Sequence, residues 1–246
     1  MDHKDPEILF DIPHIPDGET LRYEIRRAEG QEIVAYQTRV VNRIQKDNNE
    51  YYKVHGLTEY VGKGSMEETA FYQIDNRLRL VSFSKQIRTR SGCVLIDEEE
   101  QFEDELVDLP INTVSQSCTS AFGFRGGPFT PKSKITYHWI NPLGCRPMKI
   151  HADISTDTIT VPAGTFECYK AVCIPDIDSM IEQSMPADFV PPPGFHALMS
   201  SFAPPNYCWF SQNAPHYEVR SEGTIINAVP FISPDPGLEE LVSIGS

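Results

Sequence analysis

No stretch of this sequence approaches the roughly 18 consecutive apolar residues of a membrane-spanning helix, so no membrane span is expected. Basic residues are scarce: 21 Lys and Arg stand against 35 Asp and Glu, for a formal net charge of −14. Phosphate backbones need a basic face, so the average charge speaks against nucleic acid, and anionic lipid surfaces would repel the chain. There is no CxxC pair; Cys93, Cys118, Cys145, Cys168, Cys173 and Cys208 are scattered along the chain. That pattern is unlike a disulfide framework and suits buried reduced thiols. Cys168 and Cys173 are five residues apart, which puts them on opposite faces of one strand, so they would not share a metal there. HExxH, GxSxG and a strand-to-helix GxGxxG are all missing. Gly56–Ser65 resembles a phosphate loop only superficially, with one residue too many between its glycines and Gly64 where Ser or Thr is needed. No cofactor and no metal are therefore expected. The opening MDHKDPEILFDIPH lacks the basic start and apolar stretch of a leader. As written the chain reads as cytoplasmic, with an exported alternative if a leader has been removed.

What is present is a β-rich chain of 246 residues, 40% hydrophobic and 23% charged, long enough for one large β domain. Segments rich in Val, Ile, Tyr, Phe and Thr predict strands over Leu21–Arg27, Glu32–Ile44, Tyr51–Val61, Thr69–Ile74, Leu78–Thr89 and Val94–Phe102. Further strands are predicted over Lys134–Ile140, Met148–Ile154, Thr158–Val161, Phe166–Ile174, Tyr207–Ser211 and His216–Val229. Short turns such as Asp47-Asn48 separate them, which points to a meandering antiparallel sheet. Ser115–Phe124 predicts a short helix. Pro175–Pro205 carries seven prolines, cannot be interior sheet, and reads as a lid or binding loop with a helical middle over Ile177–Met185. Asp97–Glu105 holds seven acids in nine residues and must face water. The expected organisation is an N-terminal extension over 1–17, one β domain over 18–230 with an insertion at 175–205, and a C-terminal tail over 231–246.

Three stretches in this order are distinctive. They are Pro16–Ile25 (PDGETLRYEI), Thr119–Arg125 (TSAFGFR), and Thr160–Ala171 (TVPAGTFECYKA) followed by Ala214–Gly223 (APHYEVRSEG). Together they resemble the DUF3108 family, a group of unknown function, over about Gly18 to Gly223. The resemblance implies one strongly curved antiparallel sheet, a half-barrel akin to lipoprotein carriers, that wraps a helix and leaves a concave apolar surface. It implies no catalytic residues. The long Pro-rich insertion departs from the family pattern. Within the motif, Pro162 fixes φ and Gly164 can take positive φ, which suits a tight connection between two strands.

The last predicted strand alternates His216, Glu218, Arg220 and Glu222 with Tyr217, Val219 and Ser221. Period two would put the four ionisable groups on one face. That face is either a solvated ladder or the polar end of the concave surface, with Arg220 holding an anionic group and His216 acting as acid or base. His138 and His151 are expected to point outward, away from the faces of Tyr137 and Trp139 and of Ile150.

Two functions follow. In the first, the half-barrel binds a small hydrophobic or amphipathic molecule. Tyr137, Trp139, Tyr207 and Trp209 then line the trough, Arg220 and Glu222 supply polar contacts, and the insertion closes over it with Phe189, Phe195, Leu198, Met199, Phe202 and His196. In the alternative, the same cavity belongs to a cofactor-independent lyase or hydrolase. His216, Glu218 and Tyr217 would be its catalytic candidates. An enzyme requires His216 or His196 within hydrogen-bond reach of a carboxylate inside a pocket. The sequence leaves the oligomeric state open.

Overall fold

The computed structural model describes residues 10–27, 32–75, 78–102, 112–115, 120–140, 147–184, 189–202, 204–224 and 236–245. Their strands are β1 (Glu19–Arg27), β2 (Ile33–Lys46), β3 (Asn49–Tyr60), β4 (Gly64–Ile74), β5 (Leu78–Thr89), β6 (Val94–Gln101) and β7 (Thr113–Ser115). After them come β8 (Lys134–Ile140), β9 (Met148–Val161), β10 (Gly164–Pro175), β11 (Asn206–Ser211), β12 (Glu218–Thr224) and β13 (Pro236–Gly245). Three short helices are α1 (Ser120–Phe124), α2 (Ile177–Ser184) and α3 (Phe195–Phe202). All strands join one sheet in the order β6-β5-β4-β3-β2-β1-β13-β12-β11-β10-β9-β8-β7. The sheet is curved and unclosed, and every pairing is antiparallel except β7 with β8. The mainly β half-barrel is thus the observed fold.

Local chemistry sets the hairpins. Asp47 and Asn48 sit at φ 50° and 64°, and Lys46 pairs with Asn49, so the two central residues form the left-handed turn that matches strand twist. In the PAG connection Val161 pairs with Gly164, whose φ is +134°. The acidic residues 97–100 lie on β6, an edge strand, where charge discourages pairing with another sheet.

The hollow is crossed by α1. Side chains two apart on a helix lie on nearly opposite sides. Phe122 therefore meets Tyr52 and Tyr72 of one wing, with ring centroids 5.2 and 5.1 Å away. Phe124 meets Tyr137 and Phe210 of the other wing at 4.8 and 5.2 Å. Gly123 lets the helix settle on β7, since a Cβ there would fall 2.4 Å from Val114 Cγ1. Arg125, at the end of α1, makes a two-pronged buried ion pair with Glu19 at 2.6 and 3.0 Å and donates from Nε to Pro215 O at 2.8 Å.

Two ends of the chain differ from expectation. Residues of the supposed N-terminal extension belong to the core: Phe10 and Ile15 are buried, and Phe10 packs on Phe124. The supposed tail contributes β13, which fills the place between β1 and β12. Leu238-Glu239-Glu240-Leu241 shows no clean alternation, so its strand state comes from the two neighbours that bond it rather than from its own pattern. The last stretch predicted as strand, His216–Val229, is β12 from Glu218 to Thr224; residues 225–229 lie outside the described residues.

Candidate functional site

Register fixes which side chains face the hollow. Val41, Val54 and Ala70 lie in the apolar cluster that packs on Phe122, so their face is the inner one. Arg39 shares that face with Leu21, Gly56, Glu68 and Lys85, each directly opposite the next across β1 to β5. Gln37 shares it with Tyr23, Thr58 and Met66. An apolar cluster lies on either side of this row: Val41, Tyr52, Val54 and Phe83 on one, Ile25, Ala35, Tyr60, Met66 and Ile87 on the other. A polar seam therefore crosses the inner face where a sheet of this kind would ordinarily be apolar.

Arg39 is its centre. The guanidinium lies over the Tyr23 ring, 4.6 Å from the centroid. From there Nη1 reaches Glu218 Oε2 at 2.7 Å, and Nη2 reaches Glu239 Oε1 at 3.1 Å and Gln37 Oε1 at 2.7 Å. Gln37 in turn donates to Thr58 Oγ1 at 3.1 Å. The Tyr23 hydroxyl donates to the Glu218 carbonyl at 3.1 Å, and burial pushes its phenol pKa well up. Burial also pushes the Glu239 carboxyl up to about 7; Arg39 opposes the shift and the Glu218 charge adds to it. Glu68 and Lys85 pair at 3.3 Å with side chains 0% and 5% exposed. Gly56, between Arg39 and Glu68, puts no side chain into the row.

Beyond β12 the seam continues into sulfur. Ser221 bonds Glu239, and Cys208 lies opposite Ser221 on the same face. Cys173 accepts hydrogen bonds from the Cys208 thiol and the Tyr137 hydroxyl; the first of these, then the second, holds its pKa below the usual thiol value against the effect of burial. The same bond pushes Cys208 up, and burial pushes Tyr137 up. Cys168 lies in a different cluster, with Val161 and Trp209, and burial lifts its thiol to about 12.

The residues expected from sequence do not assemble as one site. A β-bulge between Trp209 and Phe210 inserts Val219, so Phe210 opposes Glu218 while Trp209 opposes Arg220 and Tyr207 opposes Glu222. The extra residue breaks the period of two. Glu218 points inward to Arg39; Arg220 and Glu222 share the face of Trp209 and Tyr207, away from Phe210. Arg220 stacks on Trp209 at 5.2 Å and pairs with Glu222 at 3.2 Å and with Glu240 at 3.9 Å. Lys170 lies over Tyr207 and Trp209, and the Trp209 indole donates to Asp157 at 3.0 Å, which holds that carboxyl below its usual range. Of the two arginines, Arg39 faces the hollow and Arg220 does not.

His216 precedes β12 with φ 56°, and its Nδ1 lies 2.8 Å from the Ser211 carbonyl. A carbonyl only accepts, so Nδ1 carries the proton, and the ring edge rests on Phe129. His216 thus bonds a carbonyl where the enzyme reading needed a carboxylate. Tyr217 stands under Arg125 at 5.3 Å. His196 does meet a carboxylate, Asp178 at 3.2 Å, but the two side chains are 54% and 77% exposed. Tyr137 and Trp139 are buried in the cluster around Phe124, where they fill the hollow rather than line it. Of the residues expected on the underside of a lid, Leu198 is 52% exposed and faces solvent, whereas Phe189, Phe195 and Met199 are partly buried. The Phe202 side chain lies outside the described residues. His151 points outward as expected and bonds Asp176 at 3.1 Å. Among the described residues no three His, Cys, Asp or Glu are grouped to hold a metal, and no helix is long and apolar enough to cross a membrane.

Arg39 and Glu239 were missed by sequence reasoning. The available signal was the row Ala35, Gln37, Arg39, Val41, polar residues at the period of a buried face.

The molecule is thus a β half-barrel with a charged seam on its inner face. No family model matches the chain, and no curated protein matches it. Among solved structures it is similar to a protein of Bacteroides fragilis NCTC 9343 inferred to be exported and described with a YmcC-like fold. The two are 12% identical, 97% of this chain and 100% of that one are covered, and the TM-score is 0.37. It is also similar to a chain of Parabacteroides distasonis ATCC 8503 inferred to be a lipoprotein, at 10% identity, 97% and 100% coverage and a TM-score of 0.35. No family model supports the DUF3108 resemblance, which rests on the quoted sequence stretches alone.

Proposed function

We propose that the protein is a binding module for a small amphipathic molecule, held on the inner face with its polar group at the Arg39 seam and its carbon against Ile25, Ala35, Tyr60, Met66 and Ile87. The observation that carries this reading is Arg39 held between Glu218 and Glu239 on the concave side of the sheet. Buried ion pairs contribute little net stability compared with apolar packing, because desolvation offsets their attraction. A chain that places Glu19, Arg39, Glu68, Lys85, Glu218 and Glu239 on its inner face gains no stability over one that places leucines there. A polar ligand group supplies a reason for them. The aromatic side chains of α1 pack on the first apolar cluster, so the ligand would sit at the seam and the second cluster, which are buried in the structure and must open to admit it.

The enzyme reading has no comparable support, since His216 is committed to a backbone carbonyl and the His196–Asp178 pair is open to water. The test is native mass spectrometry of the gently purified protein and of its Glu239→Gln variant, with extraction of whatever is retained. A small molecule on the wild type, reduced in the variant, is the expected result. A bare mass for the wild type, with no additive rescued by incubation in cell extract, rejects the reading.

A further inference from the structure

The Pro-rich insertion leaves the sheet after Pro175 and returns at Asn206. Two free cysteines mark this neck, Cys173 on β10 and Cys208 on β11. Register puts Cys173 opposite Asn206 and Cys208 opposite Ala171, so the two thiols stand on the inner face as diagonal neighbours. Both belong to the apolar cluster around Phe124; Cys173 is 1% exposed, and Cys208 is partly buried against it. Their sulfurs already meet, since the Cys208 thiol donates to Cys173. Among the described cysteines only these two share a face and a cluster: Cys168 packs with Val161 and Trp209, and Cys93 is exposed. Diagonal neighbours lie about 7–8 Å apart, just beyond the roughly 4.4–6.8 Å between Cα atoms that a disulfide spans, so a bridge must draw β11 toward β10. A bond formed under that strain is easily reduced again, which suits a reversible pair.

We propose that Cys173 and Cys208 are a redox-active dithiol, which hydrogen peroxide closes to a disulfide that fastens the neck of the insertion. Two thiols serving only as small hydrophobes need no mutual hydrogen bond. Here the Cys208 thiol and the Tyr137 hydroxyl both aim at the Cys173 sulfur, and two donors favour its thiolate, the reactive form. Cys173 is therefore the attacking sulfur and Cys208 the resolving one. The Cys173 thiolate attacks one peroxide oxygen and the O–O bond breaks. The departing hydroxide takes up the proton that Cys173 released and leaves as water, and Cys173 becomes a sulfenic acid. Cys208 sulfur then attacks Cys173 sulfur. The S–O bond breaks, and the hydroxide leaves as a second water with the Cys208 proton. The two thiols give up two electrons and two protons, and the peroxide is reduced to two waters. Peroxide is small enough to enter beside Cys208, the more open of the two. None of this requires the ligand at the Arg39 seam.

The experiment uses the full chain carrying Cys93→Ser, Cys118→Ser and Cys145→Ser, which leaves Cys168, Cys173 and Cys208. The protein is treated with hydrogen peroxide, weighed intact, then alkylated in denaturant and mapped by peptide. The expected result is a loss of about 2 Da that dithiothreitol reverses, with the Cys173 and Cys208 peptides joined. Cys168, whose thiol is lifted to about 12, should oxidise at least about tenfold more slowly. Adding Cys208→Ser should abolish the loss and leave on Cys173 a single oxygen that dimedone traps, whereas adding Cys168→Ser should change nothing. Three results overturn the proposal: all three thiols still alkylated after a dose that oxidises free cysteine, a bridge that maps to Cys168, or a loss of about 2 Da that survives Cys173→Ser or Cys208→Ser. The same peptide map is read on the wild type, where any other pairing of Cys173 or Cys208 equally overturns it, so the test stands even if a variant does not fold.

Discussion

Arg39 Nη1 lies 2.7 Å from Glu218 Oε2 and ties β2 to β12 across β1 and β13, between residues 179 apart in sequence. Both side chains are almost wholly out of water. Removing one partner leaves the other charge buried, at a cost of about 3–5 kcal/mol. Arg39→Met should therefore destabilise the fold by roughly that amount. Replacing Arg39 and Glu218 together with Met and Leu should recover part of the loss, since Glu239 and Gln37 still lose their Arg39 partner. Urea unfolding of the two single variants and the double variant checks the coupling; additive losses would show that the pair does not interact.

Glu239 gives the fold a pH dependence of defined sign. Its carboxyl is pushed from an ordinary value of 4.5 up to about 7 in the folded chain, so the folded state holds a proton that the unfolded state has released. The stabilisation is fully present below about pH 4.5 and is lost as pH rises through about 7. Glu239→Gln removes this dependence. In urea melts between pH 5 and 8, the wild type should lose stability relative to the variant as pH rises, by at most about 3 kcal/mol. A difference that stays flat or widens the other way would show that Glu239 is ionised throughout.

How much of this was readable in the sequence differs from element to element. The Asp47-Asn48 turn and the Val161–Gly164 connection are local, and both form where expected. The inner position of Arg39 was obscured because Ile33, Val34, Val40 and Val41 put apolar residues on both faces of β2, and only the neighbouring strands decide which face turns inward. The bulge at Val219 leaves no mark in β12, whose alternation is regular; it arises from pairing with β11. β13 is a strand because β1 and β12 leave it a place, which no short window of sequence records.

The packing of α1 predicts a sharp response at Gly123. A methyl group would meet Val114 Cγ1 at 2.4 Å, closer than real side chains approach, so helix or strand must shift. Gly123→Ala should destabilise by about 1–3 kcal/mol despite its better helix propensity. Adding Val114→Ala makes room for the methyl group. Partial recovery of the melting temperature in the double variant relative to Gly123→Ala alone would identify the clash as the cause. An unchanged melting temperature for Gly123→Ala would mean that α1 is not seated against β7.

The last prediction separates the two arginines. Arg220 lies half-exposed on Trp209 with Glu222 and Glu240 beside it, so Arg220→Met trades a stacked cation for a stacked thioether. Exposed cation–π and ion-pair contacts are each worth about 1 kcal/mol or less. The substitution should therefore shift unfolding by no more than about 1 kcal/mol and leave the retained ligand in place. Arg39→Lys keeps the charge but cannot reach Glu218 and Glu239 as a fork. Its ligand peak in native mass spectra should fall while the protein stays folded. If Arg220→Met emptied the protein and Arg39→Lys did not, the ligand would belong on the face of Trp209 and the inner seam would be structural only.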